Sequence, residues 1–117
     1  MMVIIYICIK KFFDRILMYS AKKLFEECGK NVVFHPLNSS FTYRSISLDD
    51  NVFIGDNARF WCTLSKIIIR HNVTIAPNVS IIAGNHNYSI IGKFITDYKS
   101  EDKLPHDDLP VIIDSDV

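Results

Sequence analysis

Between Leu48 and His86 the sequence advances in steps of six. It reads L-D-D-N-V-F (48–53), I-G-D-N-A-R (54–59) and F-W-C-T-L-S (60–65). After an interruption at Lys66, Ile67 and Ile68 it continues as I-R-H-N-V-T (69–74), I-A-P-N-V-S (75–80) and I-I-A-G-N-H (81–86). The first position is always large and apolar: Leu48, Ile54, Phe60, Ile69, Ile75, Ile81. The fourth tolerates tight turns: Asn51, Asn57, Thr63, Asn72, Asn78, Gly84. The fifth is Val52, Ala58, Leu64, Val73 and Val79, then Asn85. A 3.6-residue helical period and a two-residue strand period both fail to produce this pattern.

A six-residue period is accounted for by a short strand followed by a corner. The first-position side chain points inward. The corner requires a residue comfortable in the left-handed region, which Asn and Gly supply at low cost. Three such steps close a triangular coil, and coils stack through parallel strand hydrogen bonds about 4.8 Å apart. The pattern therefore predicts an all-β domain, a parallel β-helix whose core is a ladder of Ile, Val and Leu.

Composition admits a globular chain and little else. With 117 residues, 49% of them hydrophobic and 22% charged, it suits one domain and not a disordered segment. Net charge is zero but graded: six basic against three acidic groups in residues 1–30, four against three in 31–86, three against seven in 87–117. No basic face interleaved with aromatics marks a nucleic-acid partner. Cys8, Cys28 and Cys62 are odd in number and lack CxxC spacing, which implies a reducing compartment, hence the cytoplasm. The apolar opening Met1–Ile9 is too short for a bilayer span, which takes about 20 residues. Its charges follow the apolar run, the reverse of a signal peptide.

The rest of the chain divides into residues 1–45, a helix and lead-in, and 46–117, the repeat domain with an inserted loop at 87–110. Ile9, Phe12, Phe13, Ile16, Leu17, Leu24 and Phe25 have helical spacing, predicting an amphipathic α-helix over 9–28 that ends near Gly29. Two uses are open to it: covering the base of the repeat domain, or contacting a membrane surface peripherally. Trp61 and Cys62, at second and third positions, are expected on an outer face. Cys62 has no basic neighbour in sequence to activate it. His35, beside a proline at a turn, His71, at a corner, and His106, in P-H-D-D, are expected to be surface residues. A 24-residue excursion such as 87–110 is uncommon in a compact fold and usually functional.

The hexads, with P-N-V-S-I-I-A-G-N-H closing them, resemble those of the hexapeptide-repeat acyltransferases, above all sugar O-acetyltransferases of the maltose and galactoside type and their surface-polysaccharide relatives. The resemblance covers residues 46–117. It implies a left-handed parallel β-helix, acetyl-CoA as co-substrate, no metal, a sugar or glycan acceptor and a homotrimer with sites between subunits. By its place after P-N-V-S-I-I-A-G-N, His86 matches the family's catalytic histidine, the general base that takes the acceptor hydroxyl's proton. Asn85 would bind the acceptor or orient the site, Asn87 and Tyr88 would contact the sugar, and the loop would shape the pocket.

Two other readings bear on the same residues. A zinc site of three histidines requires two imidazoles five residues apart in one coil, whereas the spacings among His35, His71, His86 and His106 are 36, 15 and 20. The other is an inactive, C-terminally truncated remnant or interaction module, since residues 48–86 supply about two coils and solenoids need about three repeats.

Overall fold

The structure, a computed structural model, describes residues 1–84, 89, 91–97 and 99–117. A 20-residue helix, α1 (Met2–Ala21), opens the chain. It meets no glycine before Gly29 and no proline before Pro36. Nothing therefore interrupts it, despite the modest helix propensity of its β-branched residues. A 3₁₀ turn (Lys22–Leu24) follows. The strands then come in order: β1 (Glu27–Cys28), β2 (Ser40–Phe41), β3 (Ile46–Leu48), β4 (Val52–Ile54), β5 (Arg59–Cys62), β6 (Ile67–Ile69), β7 (Val73–Ile75), β8 (Ser80–Ala83) and β9 (Val111–Ile113).

All these strands pair in parallel, in three small sheets ordered β1-β3-β6-β9, β2-β5-β8 and β4-β7. The fold is thus a mixture of one long helix and parallel strands, 34% helix and 26% strand. This overturns the expected all-β class and with it the left-handed parallel β-helix. The hexads govern only the middle of the chain. Before them the apolar opening extends into a full helix, and beyond β8 the sequence makes 3₁₀ turns at 95–97, 100–102 and 105–108. The helix also differs from the predicted span, running from residue 2 to 21 instead of 9 to 28.

Within the strands, the inner positions stack on one another. Ile46 aligns with Ile67, Leu48 with Ile69, Val52 with Val73 and Ile54 with Ile75, all buried. Below them a cluster of rings fills the base: Phe25 lies 4.9 Å from Tyr43 and 5.2 Å from Phe34, and Phe41 lies 5.2 Å from Phe60. Such edge-on and tilted ring pairs add about 0.5–1.5 kcal/mol each to the burial itself.

Two side chains depart from the hexad phase. Cys62 is buried, not outward, and Leu64 is exposed, not inward. The cause is where the interruption falls. Ile67 and Ile69 both point inward from β6, so the three extra residues are absorbed in the bend at 63–66. The corner residues of successive turns are accordingly 21 apart instead of 18.

Those corners form a ladder. Asn31, Asn51, Asn72 and Asp116 all adopt positive φ, between 56° and 63°. The Nδ2 of Asn31 donates to Oδ1 of Asn51, Asn51 to Asn72 and Asn72 to Asp116, each at 3.1 Å. A second ladder joins Asn57 to Asn78 at 2.8 Å, with φ of 55° and 65°. Asn72→Ala retains neither the amide nor an easy left-handed backbone. It is expected to lower unfolding free energy by about 1–2 kcal/mol, whereas Asn72→Gly, which keeps the backbone freedom, costs less. Urea denaturation of both variants checks the order.

Candidate functional site

The four residues singled out by sequence, Asn85, His86, Asn87 and Tyr88, lie outside the described residues. The groups flanking them are described, and they define the environment at the end of β8. Ala83 is buried, so β8 finishes against the core. Gly84 then turns with φ of 95°, a conformation costly for any residue bearing a Cβ. A Cβ there would meet Asp108 Oδ1 at 3.2 Å, Lys103 Nζ at 3.7 Å and Ser65 Cβ at 3.8 Å. The later part of the excursion, at Lys103 and Asp108, therefore packs against the point where the chain leaves β8.

This returning segment is well tied. Lys103 Nζ and Asp108 Oδ1 pair at 2.8 Å, both largely shielded. Asp107, only 5% exposed, accepts the Leu104 N–H at 2.8 Å and donates its own N–H to the Leu104 carbonyl at 2.9 Å. These two bonds close the 3₁₀ turn at Pro105–Asp108. The hydroxyl of buried Ser65 donates to the Leu109 carbonyl at 2.7 Å. The Val111 N–H then bonds to the Lys66 carbonyl at 3.0 Å, and β9 joins β6. The bend that displaced Leu64 thus supplies the anchor for the segment. Lys103 and Asp108 thus place a mutually paired cation and carboxylate beside Gly84.

Sequence reasoning missed Ser65, Lys103 and Asp108. The signal for Ser65 was the break in the hexads, read three residues late. Lys103 and Asp108 carried no local signal, because tertiary return alone brings them to β8.

The other histidines serve elsewhere. His35 Nδ1 lies 2.9 Å from Asp14 Oδ2 and is partly buried, holding α1 to the lead-in instead of standing free on the surface. His71 is exposed, 2.9 Å from Ser115 Oγ. His106 is exposed, 3.6 Å from Asp107 Oδ1. Among the described residues, no three His, Cys, Asp or Glu side chains come together as a metal site. Trp61 does stand outward, 43% exposed, its indole N–H donating to Ser40 Oγ at 2.9 Å.

On the first sheet a shallow cleft of about 320 Å³ is lined by residues including Cys28, Ser47, Asp49 and Arg70. Burial raises the thiol pKa of Cys28, and of Cys62, disfavouring the reactive thiolate. At its margin Lys66 bonds Glu26 at 2.6 Å and holds that carboxyl below its ordinary range. The pair's contribution is present above the ordinary carboxylate range and is lost as pH falls through the depressed value. No family model, curated protein or solved structure matches this chain.

Two outcomes are expected. Ser65→Ala leaves the Leu109 carbonyl without its donor and should cost about 1–3 kcal/mol, read by urea unfolding, with faster amide exchange confined to residues 103–113. In the native protein a chromogenic disulfide reagent should titrate exposed Cys8 rapidly and Cys62 only after denaturant is added.

Proposed function

We propose that this chain carries the acceptor side of an acyltransferase that moves an acetyl group from acetyl-CoA to a hydroxyl of a sugar or surface glycan. In this reading His86 is the general base, a role that suits an imidazole whose ordinary pKa is near 6.5. It takes the acceptor hydroxyl's proton as the oxygen attacks the thioester carbonyl. The tetrahedral intermediate collapses with breakage of the carbon–sulfur bond, and the proton passes to the departing thiolate of coenzyme A. No covalent acyl-enzyme is formed, so the shielded thiols of Cys28 and Cys62 have no part. Asn85, Asn87 and Tyr88 contact the acceptor, in a cytoplasmic homotrimer.

The motif resemblance supports this reading, and one observation carries it: the Lys103–Asp108 pair stands beside Gly84, next in the chain to the proposed acceptor residues. A noncatalytic interaction module is the second reading. The outward apolar side chains Trp61, Ile82 and Ile112 favour it, being 43%, 65% and 49% exposed.

Release of the coenzyme thiol from acetyl-CoA, measured with a panel of oligosaccharide acceptors, separates the two. Acetyl transfer is expected for the wild-type chain, with a loss of about 10²–10⁴-fold in His86→Ala, unchanged Trp61 fluorescence and full activity in His106→Ala. Near-normal turnover in His86→Ala refutes the base assignment. Absence of turnover in the wild type selects the interaction module.

A further inference from the structure

The first half of α1 makes little use of the fold it belongs to. Ile4, Ile5 and Tyr6 are 63%, 51% and 64% exposed, and Met2, Val3 and Ile7 are exposed with them. At about 3.6 residues per turn, these six consecutive positions cover every side of the helix. Burial of α1 begins only at its far end, with Met18 and Ala21. A contiguous apolar surface of this kind marks an interaction site.

Its charge context names the occupant. Lys10, Lys11 and Arg15 follow directly, and Lys22 and Lys23 continue beyond them. The single carboxylate of the helix, Asp14, is already engaged by His35 and by the Leu37 N–H, both at 2.9 Å. Phe12 and Phe13 are exposed beside the basic side chains and add to the apolar surface available to lipid. Among the described residues, no helix is long and apolar enough to cross a membrane.

We propose that α1 seats residues 2–9 in the headgroup–acyl boundary of an anionic lipid bilayer, with Lys10, Lys11 and Arg15 against the lipid phosphates. The side at Tyr6, Ile7 and Lys10 faces a cleft shared with His35, Asn38 and Asp56, and the apolar side chains on the remaining sides suit a lipid boundary. A parallel two-fold pairing of the helix would bring Lys10 and Lys11 against their own copies, which like-charge repulsion opposes. An anionic interface satisfies both the exposed apolar surface and the adjacent cations.

Co-sedimentation of the full chain with vesicles tests this, comparing phosphatidylcholine alone with mixtures containing phosphatidylglycerol. Binding is expected on the anionic vesicles, stronger by roughly fivefold per engaged basic side chain and weakened by salt. Ile4→Asp with Ile5→Asp should abolish it. Lys10→Gln with Lys11→Gln should reduce it, with Trp61 emission unchanged throughout. The proposal is overturned if the chain ignores anionic vesicles, or binds both kinds equally. It is also overturned if the paired aspartates dissociate an oligomer while the wild type stays off lipid.

Discussion

Everything else in the strand region depends on the corner. With the bend at 63–66 an exception, the chain at most of its corners places one residue in the left-handed region. There an ordinary residue costs about 1–2 kcal/mol. Asn31, Asn51, Asn72 and Asp116 meet that requirement at equivalent corners, and their side chains bond in series from one turn to the next. The same residues thus set the bend and the vertical register. Once the register is set, Ile46 lies over Ile67 and Val52 over Val73. The apolar ladder then excludes water from strands only three residues long.

Such short strands leave the ends of the ladder in need of cover. At the base the aromatic rings of the lead-in supply it: Phe25, Phe34, Phe41 and Tyr43 fill the space beneath Phe60. They fill the place that the helical periodicity assigned to the helix, and Phe25, counted in that periodicity, does so from beyond the end of α1. Only the last turns of α1 approach the core, with Met18 and Ala21 buried and the Asp14–His35 pair fixing the approach. The spacing of Ile9, Phe12, Phe13 and Ile16 was a true helical signal. It did not specify that these residues would find a partner within the chain, and all four are exposed.

At the end of β8 the order of causes reverses. Gly84 stands where a Cβ would press on Asp108, and Ser65 reaches across to Leu109. Neither contact is local. The hexad phase located the turn at Gly84, and its failure after Ser65 marked the bend from which the returning segment is held. The proposed acceptor residues Asn85, His86, Asn87 and Tyr88 were legible only as a motif, and their placement lies outside the described residues. The pair beside Gly84, Lys103 and Asp108, lies late in the excursion and far from β8 in sequence, so no spacing rule could have found it.

The sequence by itself determined most of the inward positions, the asparagine corners and the existence of an N-terminal helix. Each follows from short-range sterics or from the periodic separation of apolar from polar side chains. Tertiary structure decided the rest: the mixed helical and parallel-strand class, the bend that buries Cys62 and exposes Leu64, the anchoring of the returning segment, and the exposure of α1. These depend on which surfaces meet. Meeting is a competition among all the apolar groups of the chain, and at the base of the core the aromatics that follow α1 are the ones packed together.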